Sequence, residues 1–132
     1  MKKILALLVT VTLLATITMS SSVADAYSVN AYSGGGFQVK ILINGSSIQG
    51  SVRVNLTPGD KATITLKLQK QNSNGGWTTV RTEALVFERS SYSTIDIPAS
   101  SGKYRMSAII NVSDENGKSL ESTTKYTGTI TY

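Results

Sequence analysis

Gly102-Lys-Tyr-Arg-Met-Ser-Ala-Ile-Ile-Asn-Val112 alternates along its whole length. Tyr104, Met106, Ala108, Ile110 and Val112 share one face, and Lys103, Arg105, Ser107 and Asn111 share the other. Side chains that repeat every second residue belong to a strand with one buried face. No other stretch after residue 26 alternates so cleanly for so long, and Asp114-Glu-Asn-Gly117 supplies a hairpin turn directly behind it. The segment is therefore expected to be a central strand of an all-β domain.

Working outward, the same pattern recurs. Phe37 to Ile43 alternates and stops at Asn44-Gly45, a strong hairpin signal. Its partner runs from Ser47 to Leu56, with Val52, Val54 and Leu56 inward and Gly50 marking a bulge. Thr57-Pro58-Gly59-Asp60 turns the chain into Lys61–Gln69, where Ala62, Ile64, Leu66 and Leu68 face in. After the polar stretch Gln71 to Gly76, a strand covers Trp77–Thr82, whereas Glu83–Arg89 is a short strand or an irregular crossing of poor phase. Tyr92–Ile97 alternates until Pro98, and a long threonine-rich strand is expected from Ser119 to Tyr132. No segment after residue 26 sustains a period of 3.6. About seven or eight short strands separated by turn residues make a sandwich or a barrel, and an antiparallel β-sandwich is the expected architecture.

The first residues carry a different signal. Lys2 and Lys3 precede the apolar run Ile4–Met19, and Ala24-x-Ala26 closes the polar stretch behind it. A charged start, an apolar middle and small residues at an A-x-A site read as a secretory signal peptide with a signal helix. Cleavage is expected between Ala26 and Tyr27, giving a signal at 1–26, a flexible glycine-rich leader at 27–36 and a sandwich domain at 37–132. Before cleavage, the signal peptide is the only membrane contact expected.

Composition narrows the chemistry. Histidine and cysteine are absent, which removes Ser-His-Asp and Cys-His nucleophilic sites and the usual zinc sites. It also makes a disulfide-free domain whose stability comes from its core. Gly34-Gly35-Gly36 is not followed by Lys-Ser/Thr, so it is not a phosphate-binding loop. Glu83 and Glu88 are the nearest pair of acids for a glycosidase-type site, but they read as solvated charges beside Arg81 and Arg89. Asp114-Glu115-Asn116 gathers three oxygen-bearing side chains without the ligand order of a calcium loop. No enzyme activity, cofactor or metal is expected.

Net charge is +5 over the full chain. Without Lys2, Lys3 and Asp25, 11 basic and 7 acidic side chains remain, dispersed rather than in one block. Such a surface suits a cell-wall polyanion, a polysaccharide or a surface protein rather than nucleic acid, whose readers carry a basic stripe. Trp77 beside a Gly-Gly tip and Tyr92 out of phase with Ile95 and Ile97 are candidate ligand-stacking residues, with Arg81 and Arg89 as charged neighbours.

Two stretches resemble the immunoglobulin-like sandwich. Gly59-Asp-Lys-Ala-Thr-Ile-Thr-Leu66 resembles its second strand, with Leu66 at the first cysteine position. Ser101-Gly102-Lys-Tyr104-Arg-Met106 resembles its sixth, with Met106 at the second and Tyr104 at the tyrosine corner. Trp77 falls near the core tryptophan of that fold. Leu66-Lys-Leu-Gln-Lys70, Gly76-Trp77-Thr-Thr-Val80, Gly102-Lys-Tyr-Arg105, Asn116-Gly117, Glu121-Ser122 and Tyr126-Thr-Gly-Thr-Ile-Thr-Tyr132 are similar to small, uncharacterised exported proteins of Gram-positive bacteria. This second resemblance implies a secreted, extracellular or cell-surface protein and adds nothing about mechanism. The expectation is a non-enzymatic binding module. The alternative is a secreted effector or antagonist acting on other cells.

Overall fold

The computed structural model describes residues 23–28 and 36–132. Among these, nine strands run β1 (Val23–Ser28), β2 (Gly36–Asn44), β3 (Ser47–Asn55), β4 (Lys61–Gln71), β5 (Trp77–Phe87), β6 (Ser91–Pro98), β7 (Lys103–Ser113), β8 (Ser119–Tyr126) and β9 (Ile130–Thr131). They form two antiparallel sheets, β1-β2-β3-β6 and β5-β4-β7-β8, with β9 pairing β7. The chain is all-β, a sandwich, as the alternation predicts.

β7 sits between β4 and β8 and buries all five residues of its inward face. Opposite them, Phe37, Val39, Ile41, Ile48, Val52, Val54 and Ile95 cover the inner side of the first sheet. Each fully buried aliphatic or aromatic side chain of this kind contributes about 1.5–3 kcal/mol, enough to hold the sheets together without a disulfide. Gly50 of β3 is required by this packing: a Cβ there would lie 2.2 Å from Met106 Sδ. It faces the core within an uninterrupted β2–β3 register, so it marks close approach rather than the expected bulge. The β2–β3 loop is Gly45-Ser46, with Gly45 at φ 60°, a left-handed conformation in which other residues are strained.

Tyr104 anchors the start of β7. Its ring is buried, its hydroxyl donates to Ser100 O at 2.7 Å, and it accepts from Ser100 N at 3.2 Å. Burial pushes the phenol pKa up, but hydrogen bonds with Ser100 and the neighbouring Lys70 outweigh it, so the pKa lies below the ordinary tyrosine value.

Other expectations are corrected. Leu66 does not stand across the sandwich from Met106. It lies on β4, beside β7 in the same sheet, and the residue packed against Met106 from the opposite sheet is Gly50. Trp77 is not a core residue; it is half-buried on the outer face. The last strand is not continuous, because Thr127 leaves the β8 ladder. Its backbone N–H donates to Met106 O and its hydroxyl accepts from Met106 N, both at 2.9 Å, before Ile130 re-enters the core.

Glu83–Arg89 is not a crossing. Trp77–Phe87 is one strand whose phase breaks because the register with β4 shifts between Leu68 and Gln69. Gln69 pairs with Thr79 and Leu68 with Arg81, leaving Val80 as the extra residue. Such a bulge moves every later side chain to the opposite face. Trp77 and Thr79 thus point outward, while Leu85 and Phe87, at the same odd parity, turn toward the core.

The expected signal segment lies outside the described residues up to position 22. Its last residues, Val23–Ala26, open β1, and the Ala26–Tyr27 junction falls inside that strand, opposite Val39 and Gln38. Of the expected leader, Tyr27 and Ser28 pair with Gln38 and Phe37, and Gly36 begins β2. The remainder lies outside the described residues.

Candidate functional site

The outer face of the second sheet is built by the outward positions of β4, β5, β7 and β8. The registers place Thr63, Thr65, Lys67, Gln69 and Gln71 of β4 opposite Val86, Ala84, Thr82, Thr79 and Trp77 of β5. On the other side come Arg105, Ser107, Ile109 and Asn111 of β7, then Ser122, Thr124 and Tyr126 of β8. No outward position of these strands carries an acid. Four carboxylates, Asp60, Glu88, Asp114 and Glu115, gather instead with Gly59 and Lys61 around a shallow cavity at one end of the sandwich.

At the other end of this face lies its main feature. The Arg105 guanidinium carbon is 4.3 Å from the Trp77 ring centroid and 4.5 Å from that of Tyr126. Each contact is worth about 0.5–1 kcal/mol at an exposed site. Arg105 Nε donates to Gln69 Oε1 at 2.9 Å, and Gln69 Nε2 donates to Thr79 Oγ1 at 3.3 Å. Four strands thus hold one guanidinium plane. Among the described residues its two Nη groups have no hydrogen-bond or ion-pair partner. They keep the forked pair of donors that matches carboxylate or phosphate oxygens. Tyr126 remains 52% exposed, so one wall of this clamp is open to a ligand.

The residues singled out from sequence do not come together. Trp77 joins the clamp. Tyr92 lies on the opposite outer face, on β6, 54% exposed, with the Arg53 guanidinium 5.7 Å from its ring centroid. Arg81 spans the seam between the sheets: Nη1 donates to Asp96 O at 3.2 Å and Nη2 lies 3.7 Å from Glu83 Oε2. Arg89 is exposed in the β5–β6 turn, beside a shallow cavity lined with Val86, Phe87, Glu88 and Ser91. Arg81 therefore ties two edges, and Arg89 is remote from both aromatic positions.

Sequence reasoning missed Arg105, Gln69 and Tyr126 as a group. Arg105 and Gln69 stand on the polar sides of two alternating strands, and only the pairing of β4 with β7 sets them side by side. Tyr126 ends the outward row Ser122, Thr124, Tyr126, a pattern readable in sequence once β8 is known to pair β7.

Three of the acids are otherwise engaged. Glu83 faces Arg81, and Glu88 Oε1 lies 3.8 Å from Lys61 Nζ. Asp114 Oδ1 accepts from Asn116 N and Lys118 N, both at 2.9 Å, which fixes the β7–β8 turn. Among the described residues no group of three or more acids is placed to hold a metal ion, and no helix is long and apolar enough to cross a membrane. Neither protein-family models nor curated proteins provide a match for this chain.

Proposed function

We propose that this is an exported, non-enzymatic binding module of the Gram-positive cell surface or medium, taking an anionic wall polymer on the outer face of its second sheet. The observation that carries the reading is Arg105, clamped between Trp77 and Tyr126 on a face without acids, its terminal donors without a partner among the described residues. A guanidinium immobilised by two rings loses little freedom on meeting an oxyanion, and two parallel N–H bonds give it geometric selectivity. Export rests on the signal-peptide pattern of residues 1–26. The immunoglobulin-like reading is supported by the distribution of strands. Counted from β2, the second strand is β3 rather than the Gly59–Leu66 stretch, which leads into β4; with β7 as sixth, β2, β3 and β6 face β4, β7 and β8, and the fourth strand, β5, has joined the latter sheet.

The test is retention of fluorescent protein on whole Gram-positive cells across a salt series. Binding is expected, weakening as salt rises. Arg105→Lys keeps the charge but removes the fork, and is expected to lower affinity roughly tenfold while the fold is retained. Equal retention of the lysine variant would remove the clamp from the mechanism. No retention at all would turn the assignment toward an effector released into the medium.

A further inference from the structure

The opposite face of the sandwich carries a second arrangement of the same chemical kind. Gln38, Lys40 and Leu42 of β2, Ser51 and Arg53 of β3, and Tyr92 of β6 line a cavity of about 180 Å³. Its order follows from the registers: Gln38 pairs with Arg53 and Arg53 with Tyr92, while Lys40 pairs with Ser51. Lys40 and Arg53 are thus diagonal neighbours on adjacent strands, a spacing of about 7–8 Å at which long side chains meet. Ser51 is 5% exposed although its position is an outward one, and it lines the cavity. Asp96 is the acid on the outward row of β6, four residues beyond Tyr92 or about 13 Å along the strand. Asp25 stands opposite Lys40 in the β1–β2 register, which leaves Arg53, Ser51 and Tyr92 as the groups for a ligand.

The size decides the ligand class. Pockets for drug-sized molecules run to about 300–1,000 Å³, so a cavity of about 180 Å³ suits one phosphate or carboxylate group and the carbon next to it. Arg53 is exposed and directed by the Tyr92 ring, and Ser51 lies beneath as a hydroxyl donor. This is a weaker form of the Arg105 clamp, with one aromatic wall in place of two.

We propose that this cavity is a second oxyanion site, and that one molecule, binding on both outer faces, cross-links two strands of an anionic polymer. The two sheets pack about 10 Å apart, and the sites face opposite directions. A single polymer strand cannot follow the flat of both faces without wrapping an edge. The partner on each face is identified by its phosphate or carboxylate groups. The inference shares the ligand class of the Arg105 reading but uses none of its residues.

The experiment mixes purified protein with long-chain polyphosphate and, in a separate arm, with polygalacturonate, following light scattering. Stoichiometry is measured with short tripolyphosphate and with trigalacturonate. Two sites per molecule are expected, with scattering that rises at intermediate ratios and dissolves when polymer is in excess. Arg53→Ala and Tyr92→Ala are each expected to reduce the second-site affinity roughly tenfold or more and to abolish scattering. Arg105→Ala is also expected to abolish scattering while leaving one short-probe site intact. Scattering unchanged by Arg53→Ala, or a single site in the native protein that only Arg105→Ala removes, would overturn the second site and leave the first standing. A single site that only Arg53→Ala removes would retain this cavity, reject the Arg105 clamp and reject cross-linking. The two polymer arms distinguish a phosphate-bearing from a carboxylate-bearing partner.

Discussion

β7 and β5 lie in the same sheet, separated only by β4, and they differ in what their alternation means. β7 alternates without interruption and all five inward residues are buried. β5 carries one residue too many, and its two halves present odd-numbered residues to opposite faces. The central strand makes the sandwich. The bulged edge strand makes the candidate site, because Val80 is what leaves Trp77 outside, over Arg105, instead of inside with Leu85 and Phe87. A strand paired on both sides cannot slip without disrupting two ladders, whereas an edge strand accommodates a bulge at the expense of one.

The sharpest way to break this comparison is to delete matching bulk from both strands. Ile110→Ala on β7 is expected to cost about 3 kcal/mol, within the range for buried aliphatic truncations. Leu85→Ala on β5, whose side chain is only half-buried, is expected to cost about 1 kcal/mol. Urea midpoints measure both; equal losses would mean that β5 is as much a core strand as β7. Deleting Val80 should cost about 1–2 kcal/mol and turn Trp77 away from Arg105 if Leu85 and Phe87 keep their packing. Tryptophan emission, expected to respond to Arg105→Ala in the native chain, should then become insensitive to it. A response that survives the deletion would show that the bulge does not set the face of Trp77. The smallest effect is expected at the start of β7, where Tyr104→Phe removes the hydrogen bonds to Ser100 and should cost about 1 kcal/mol, read as a shift in thermal midpoint. No loss would make the ring, rather than the hydroxyl, the useful part of that corner.

The same contrast separates what was legible in the sequence from what was not. The inward faces of β2, β3, β4, β6 and β7 could be read directly, because hydrophobic burial imposes a period of two on any strand with one wet face. The phase of Tyr92 against Ile95 and Ile97 likewise placed it outward, where it stands. β5 defeated that reading, since an added residue leaves no mark in composition and merely spoils the alternation. β8 was partly hidden for another reason. Its inward positions Glu121 and Thr123, opposite Val112 and Ile110, are polar at an edge of the sheet, so the hydrophobic signal fades there.

The residues of this chain by themselves determine an all-β domain: alternating apolar side chains, punctuated by turn residues, bury their surface by stacking two sheets or by closing one into a barrel, and the structure takes the two-sheet solution. Strand adjacency was decided by the tertiary structure alone. Leu66 and Met106, which resembled partners across the core, lie in neighbouring strands of one sheet, and Gly50 fills the opposing place because only a residue without a side chain leaves room for the methionine. The candidate site belongs to the same category. Trp77 was readable as a stacking candidate, but Gln69, Arg105 and Tyr126 each read as an ordinary surface residue. Backbone pairing across four strands, and one bulge, put a guanidinium between two rings.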